Sequence, residues 1–325
     1  MTRSGPKLLV LLERAIRARR YSPRTEETYR RWVVEYIHFH GKRHPDELGV
    51  AEVDAFLTHL VVKRCLSAAS QSQARAAILF LYREVLKKPI EERDGSQVIR
   101  GRKPTRLPNV LSRREVGSVL RRMTGATGLV ARLLYGSGLR LNEALKTRVK
   151  DVNLDRLELR VHAGKGGRGR VTMVPAVLQV ELRDQLVARR ALHDRDLADG
   201  AGWVVLPGAL DRKSRDAGHD FAWQFLIPAA TQSADPRTGA LGRYHLHPSA
   251  VQRAVRSAAR AAGLPKRVTC HTFRHSFATH LLEDGYDIRT IQELLGHKSV
   301  RTTMIYTHVL NRGALGVRSP LDREE

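Results

Sequence analysis

Six side chains in five short stretches have the types needed to transfer a phosphodiester. They are Arg140, in Gly136-Ser137-Gly138-Leu139-Arg140-Leu141-Asn142-Glu143; Lys165, in Gly164-Lys165-Gly166-Gly167-Arg168; His271 and Arg274, in Cys270-His271-Thr272-Phe273-Arg274-His275; His297, in Leu295-Gly296-His297-Lys298-Ser299; and Tyr306. An arginine pair can hold a phosphodiester through charge-assisted, bidentate hydrogen bonds. A tyrosine can attack it, although a pKa of about 10 makes tyrosine a poor nucleophile at neutral pH. Lysine and histidine can move the protons. His271 and Arg274 are three apart, so on a helix they share a face. Arg140 follows a glycine turn and opens a helix, where close backbone approach and the helix end both favour an anion. Glu143 reads as structural, holding Arg140 or the helix end.

Other chemistries fit less well. His271 and His275 have the i, i+4 spacing of zinc ligands, but Thr272 stands where a metalloprotease needs glutamate, and no Cys or carboxylate cluster completes a site. No metal and no cofactor is expected, and His275 and His280 read as packing or helix contacts. The glycines around Lys165 lack the Gly-x4-Gly-Lys-Ser/Thr spacing of a P-loop and join two strands. Two cysteines, Cys65 and Cys270, make no disulfide framework and suit a reducing compartment. The apolar stretch at Leu8 to Leu12 is broken by Glu13 and Arg14, and no run of about 18 apolar residues exists. A cytoplasmic location and no membrane partner are expected. Lys and Arg number 57 against 33 Asp and Glu, a net charge of +24. That excess points to a polyanion, whose counterions are released on binding. A merely basic surface, or RNA binding of the ribosomal kind, would show the same excess, so charge alone leaves these readings open.

At 325 residues the chain has room for two domains. Residues 1–90 read as a small all-helical domain. Helical periods run over Leu8 to Ile16, from Pro23 after the N-cap Ser22, over Val53 to Val61, and from Ala68 to Leu86. Residues 91–110 carry Gly95, Gly101, Pro104 and Pro108 and crowd together Arg100, Arg102, Lys103 and Arg106, the pattern of a basic interdomain linker suited to a phosphate backbone. Residues 111–325 form the second domain. It opens on a capping box at Ser112 and Glu115, and a buried helix spans Leu129 to Tyr135. Strands are expected at Val149 to Val152, Glu158 to His162 and Arg170 to Val174, as a three-stranded antiparallel sheet with Lys165 in its second hairpin. Helices follow at Leu178 to Asp196, Ser249 to Ala262 and Ile288 to Leu295. The fold class is therefore mainly α with a small antiparallel β-sheet. Residues 203–248 stand apart, rich in aromatic, histidine and basic side chains that suit unstacked bases. Packing of Phe221, Trp223 and Phe225 as the core of an added helix is the plainer alternative.

His-x-x-Arg-His, Leu-Gly-His-Lys-Ser-x-x-Thr-Thr with Tyr306 nine positions after His297, and Tyr-Gly-Ser-Gly-Leu-Arg-x-x-Glu together resemble the tyrosine recombinases of the phage-integrase family. Ser22-Pro23-Arg24-Thr25 with Tyr29 resembles the start of that family's N-terminal core-binding (SAM-like) domain. The resemblance covers both domains. It implies a C-shaped clamp on DNA, a homotetramer in the synaptic complex, a monomer when free, and a C-terminal tail (309–325) that docks on a neighbouring subunit. It also implies roles. Arg140 and Arg274 bind the non-bridging oxygens, His271 assists removal of the Tyr306 proton, His297 donates to the phosphate, and Lys165 protonates the leaving 5′ oxygen. The product is a 3′-phosphotyrosine that a 5′ hydroxyl reopens without ATP. The 203–248 segment resembles the one that distinguishes integron integrases, which grip extrahelical bases of folded single-stranded sites. That resemblance marks Trp223, Pro236, Tyr244 and His245 for base contacts, although the family often has histidine where Tyr244 stands. Cassette integration and excision, on duplex and folded single-stranded DNA, is the function implied. A phage or chromosome-dimer-type recombinase on duplex sites, and a non-catalytic architectural DNA-binding protein, are the alternatives.

Overall fold

The computed structural model describes residues 8–90, 108–162, 169–207, 210, 216–235 and 239–310, the last three as backbone only. Arg100, Arg102, Lys103, Arg106, Lys165 and Pro236 lie outside the described residues, as does the tail beyond 310. The chain divides into two compact units, Met1–Arg106 and Leu107–Glu325.

The first unit is helical. Its helices are α1 (Leu8–Ala18), α2 (Pro23–Phe39), α3 (Val50–Val62) and α4 (Ala68–Phe80). Ser22 caps α2 as its position suggests: its Oγ accepts from the Thr25 amide at 3.1 Å, and Pro23 occupies the first turn. The apolar stripes meet in one core that includes Leu12, Ile16, Val33, Tyr36, Phe56, Leu60 and Ile78. The fourth helix differs from the uniform run to Leu86 read from its periodicity. It widens into a π-helical turn at Leu81–Leu86 and stops at Lys87, whose φ is 56°. Tyr82 in that turn is buried, with its hydroxyl 3.0 Å from the Tyr36 hydroxyl and 2.9 Å from the Pro45 carbonyl. Periodicity does not register this pairing of buried polar groups.

The second unit begins with α5 (Arg113–Leu120), closed by the expected capping box. The Glu115 amide donates to Ser112 Oγ at 3.2 Å, and the Ser112 amide to Glu115 Oε2 at 2.8 Å. Helices α6 (Gly125–Gly136) and α7 (Leu141–Lys146) follow, then the antiparallel sheet β1 (Val152–Asn153), β2 (Glu158–Val161) and β3 (Arg170–Met173), in that order. Leu159 pairs with both Val152 and Thr172, which fixes the register. Val149–Asp151 is a 3-10 turn rather than the start of a strand, because the Asp151 carboxylate folds back onto the Arg148 amide at 3.0 Å. Helix α8 (Gln179–Ala198) leads into the unusual segment, and α9 (Pro248–Ala261), α10 (Cys270–Glu283), α11 (Ile288–Leu295), α12 (Val300–Thr303) and a 3-10 turn at Met304–Leu310 complete the unit. Helix α10 is buried around most of its circumference, with Phe273, Arg274, Ser276, Phe277 and Ala278 all inside. Buried on nearly all sides, it can hold charged side chains in fixed positions.

In the unusual segment the described residues form 3-10 turns at Asp216–His219 and Phe221–Trp223 and a two-stranded sheet, β4 (Ser233–Ala234) with β5 (Leu241–Gly242). Phe221, Trp223 and Phe225 do not form the core of an added helix: Phe225 is buried, and the other two are half-buried. A buried polar network seats the segment on α8. Arg189 Nη2 donates to Gln224 Oε1 at 2.8 Å, and Gln224 Nε2 donates to the Gly202 and Gly218 carbonyls at 2.9 and 3.0 Å. The Asp196 carboxylate accepts from Arg243 Nε at 2.8 Å and Gln232 Nε2 at 2.7 Å. Such groups are costly to bury unpaired, so their mutual pairing fixes where the segment lies.

Candidate active site

The turn between α6 and α7 places the first cation. Gly138 has a φ of +63°, and a Cβ there would lie 2.4 Å from the Phe277 ring, so both conformation and space require glycine. Its carbonyl accepts from Arg274 Nη1. Arg274 Nη2 donates to the Leu295 carbonyl at 2.5 Å and lies 3.2 Å from His297 Nε2. Arg274 is 1% exposed. Burial, then the neighbouring Arg140 charge, lowers its pKa to about 9, which leaves it protonated at neutral pH. The side chain is thus clamped between α7, α10 and α11 before any ligand arrives.

Glu143 is the hub behind both arginines. Its carboxylate accepts from the Arg140 amide at 2.8 Å, from Arg140 Nη1 at 2.7 Å, and from Arg170 Nη1 and Nη2 at 3.1 and 2.7 Å. Arg274 Nη1 stands 3.7 Å away. The opening amide of α7 is therefore taken by Glu143, and anion affinity at this turn rests on the guanidinium rather than on the helix end. Arg170 is a residue the sequence reading missed. Its Nε also donates to the Leu294 carbonyl at 2.7 Å, tying β3 to α11. Gly296, φ +61°, lets it pass, since a Cβ there would sit 2.9 Å from Arg170 Cδ.

Burial alone would raise the Glu143 pKa, but the Arg170 and Arg140 hydrogen bonds and charges outweigh it and bring it down to about 2. A carboxyl depressed in the folded state gives stability that is complete above its ordinary value of 4.5 and is lost as pH falls from there through about 2. Glu143→Gln is expected to cost about 3 kcal/mol at pH 7 and to flatten this acid limb. Urea midpoints at pH 7 and pH 3 test it; a variant with the wild-type slope between them would remove Glu143 from that role.

Tyr306 projects from the last 3-10 turn and is 1% exposed, packed with Phe277, Leu282, Ile291 and Leu295. Its hydroxyl lies 2.9 Å from Nδ1 of His275, not of His271. His275, expected as a packing or helix contact, thus also reaches the Tyr306 hydroxyl. His271 sits one turn earlier on α10, its ring edge-on to His275 with centroids 4.7 Å apart, and its outer edge is exposed. Surrounding protein, then Arg274 and Arg140, lowers the pKa of His271. His297 is held at both nitrogens, with Nδ1 3.0 Å from the buried Thr303 hydroxyl and Nε2 facing Arg274. Burial and then the charges of Arg274, Arg140 and Arg170 lower its pKa to about 4. The Tyr306 pKa is raised by burial, which Arg274 and Arg140 partly offset. Five of the six sequence candidates thus share one electrostatic neighbourhood, and Lys165 lies outside the described residues.

A groove of about 930 Å³ leads from Arg140 and Glu143 past Arg148 and Arg160 to Trp223 and Tyr244. Lys150 Nζ lies 3.0 Å from the Trp223 ring centroid, and the Arg148 guanidinium 4.7 Å from that of Phe225. Arg148 is fixed by the Trp223 and Val205 carbonyls at 2.5 and 2.8 Å. Tyr244 is 47% exposed and rests on His245, ring centroids 4.3 Å apart. His245 is 8% exposed and bonds the Leu246 carbonyl through Nδ1 at 2.9 Å. His245, expected to contact a base, lies buried beneath Tyr244 and against Phe225, ring centroids 5.3 Å apart. Among the described residues no group of three or more His, Cys, Asp or Glu side chains is placed to hold a metal ion. Nor is any described helix long and apolar enough to cross a membrane.

Comparison with known proteins agrees with this architecture. Residues 121–312 match the Phage integrase family, and residues 8–92 match the domain described as phage integrase, N-terminal SAM-like. An "Integrase/recombinase" of Escherichia coli is 47% identical over 316 residues, covering 97% of this chain and 93% of its own length. The "Tyrosine recombinase XerA" of Thermococcus kodakarensis is 31% identical over 291 residues, covering 89% and 86%. The structure of XerH recombinase bound to a palindromic difH substrate superposes with a TM-score of 0.61 at 21% identity, over 94% of this chain and 82% of that one.

Proposed function

This chain belongs to the phage integrase family, the tyrosine recombinases, and on that premise we propose that it integrates and excises gene cassettes at integron sites, including sites presented as folded single strands. The observation that carries the chemistry is the joint position of Arg140, His271, Arg274, His297 and the Tyr306 hydroxyl, with the two guanidinium charges acting on the other three.

In the proposed reaction the DNA phosphate displaces water from the mouth of the groove. Arg140 and Arg274 take its non-bridging oxygens and stabilise the extra charge of the pentacoordinate transition state. His297 donates a hydrogen bond to the phosphate once its ring proton sits on Nε2, with Nδ1 then accepting from the Thr303 hydroxyl, and His271, on the exposed side, stands against the same oxygens. Tyr306 attacks, Lys165 protonates the departing 5′ oxygen, and a 3′-phosphotyrosine forms. The bond energy is kept, so a 5′ hydroxyl reseals the strand. We further propose a monomer in solution, a tetramer on paired sites, a basic linker at 91–110 that follows the DNA backbone through Arg100, Arg102, Lys103 and Arg106, and a cytoplasmic location.

The cassette reading rests on the groove next to Arg140. Its wall carries an exposed Tyr244 and a Trp223 already engaged by Lys150, and aromatic faces among cations suit an unstacked base. Pro236 belongs to the same proposed contact. A second reading is action on duplex sites only. Covalent trapping in the presence of a chelator separates the two. Labelled nicked duplex and labelled folded strands of a cassette end are mixed with the protein and run on a denaturing gel. Trp223→Ala and Tyr244→Ala are expected to lower trapping of the folded strand about 10-fold each, within the 1–3 kcal/mol that base stacking contributes, and to spare the duplex. Equal losses on both substrates would assign the segment to duplex binding. Binding with no adduct on any substrate would favour an architectural DNA-binding protein.

A further inference from the structure

His271 and His275 lie one turn apart on α10, and the structure divides them between two surroundings. His271 is exposed and feels the charges of the buried Arg274 and of Arg140, where a phosphate would lie. His275 faces inward, and its Nδ1 meets the Tyr306 hydroxyl at 2.9 Å, with ring centroids 5.5 Å apart. Positions i, i+3 and i+4 of one helix share a face, so Arg274 and His275 both neighbour His271 while reaching different partners.

We propose that His275 is a catalytic residue of strand transfer: its Nδ1 holds the Tyr306 hydroxyl for attack and receives its proton as the oxygen bonds to phosphorus. This rests on the recombinase reading above. A hydroxyl that donates to Nδ1 requires that nitrogen to be unprotonated, which puts the ring proton on Nε2. Burial, then the nearby His271 and Arg274, lowers the His275 pKa to about 4, so the imidazole is neutral at physiological pH and its lone pair is free to accept. A phosphate bound between Arg140 and Arg274 adds negative charge beside this ring and makes it a better base than in the free protein. In the step, the Tyr306 Oη–P bond forms, the Oη proton moves to Nδ1, and the P–O5′ bond breaks. The departing oxygen takes its proton from Lys165. Rejoining reverses each move, and the imidazolium returns the proton to Tyr306. His271 is then left to the phosphate rather than to the nucleophile.

The test is single-turnover adduct formation on nicked duplex, with either the natural 5′ oxygen or sulfur at the scissile bridging position, which leaves without a proton. Wild type, His275→Ala, His275→Asn and Lys165→Ala are compared, with DNA affinity measured in parallel. His275→Ala is expected to slow adduct formation by about 100-fold or more, the range of a lost general base, with unchanged affinity and no rescue by sulfur. Sulfur is expected to rescue Lys165→Ala. Asn keeps an acceptor near the Nδ1 position and similar volume but cannot take the proton, so His275→Asn is expected to remain about 10-fold slow or worse. It also decides the matter if the alanine variant fails to fold. Wild-type rates in His275→Asn, or rescue of it by sulfur, overturn this assignment while leaving the recombinase reading intact. A wild-type protein that forms no adduct at all overturns that reading and this assignment with it.

Discussion

Tyr306→Phe is expected to abolish the covalent protein–DNA adduct while leaving DNA binding unchanged. The substitution removes one atom, the hydroxyl oxygen that becomes the ester oxygen of the intermediate. The ring stays where Phe277, Leu282, Ile291 and Leu295 already enclose it, so no cavity opens. What is lost structurally is the 2.9 Å bond to His275. A buried acceptor left without its donor costs about 1–3 kcal/mol, too little to unfold a domain of this size but enough to lower the melting temperature by a few degrees. The denaturing gel reads the chemistry, and a gel shift reads the binding. An adduct that persists would place the nucleophile elsewhere. Loss of both adduct and binding would instead indicate that the variant had lost its fold, which the melting temperature reports directly.

Arg274→Ala is expected to have the second largest effect, on rate and stability together. The rate should fall by about 100-fold to 1,000-fold, the usual loss when a donor to the transition-state charge is removed. Stability should fall by about 3–5 kcal/mol, because the partners of a buried ion are left behind. Those partners are specific: the Gly138 carbonyl, the Leu295 carbonyl, His297 Nε2 and the nearby Glu143 carboxylate. Arg274→Lys separates the two losses. It keeps the charge, but one ammonium cannot span two carbonyls and a phosphate in the planar geometry of a guanidinium. It should recover stability in part and rate hardly at all. Denaturant midpoints and single-turnover adduct formation measure each quantity. An Arg274→Ala protein that cleaves at the wild-type rate would show that Arg140 alone carries the phosphate.

The two effects are linked through α10. The helix is buried on most of its surface, so Arg274 and His275 have little freedom to relax when a neighbour is changed. Substitutions at these positions are therefore not expected to add, and double variants with Tyr306→Phe should fall no further in rate than Tyr306→Phe alone.

The sequence by itself determined the features that depend on near neighbours. Ser22 with Pro23, and Ser112 with Glu115, announce helix starts because a short side chain must reach an amide two or three residues on. The order of helices and the three-stranded sheet follow from apolar periods of 3.6 and 2. Arg140, His271, Arg274, His297 and Tyr306 have the types for one chemistry, and their motifs' resemblance to the family's is what marks them as one set. The pairings between distant segments were decided by tertiary structure. A helical period shows that His271, Arg274 and His275 share a face, but not which of them meets a turn 31 positions away. Arg170 reaches Glu143, the carboxylate that also holds Arg140, across 27 positions, yet on a β-strand it reads as one more solvated charge. Tyr244 and His245 are adjacent and chemically alike for stacking. Their rings lie together against Phe225, and only the packing of whole elements leaves Tyr244 exposed and His245 buried. Local patterns arise from short-range sterics and hydrogen bonds that the chain carries anywhere. The partners of buried polar groups are chosen only when whole elements dock and each donor must find an acceptor.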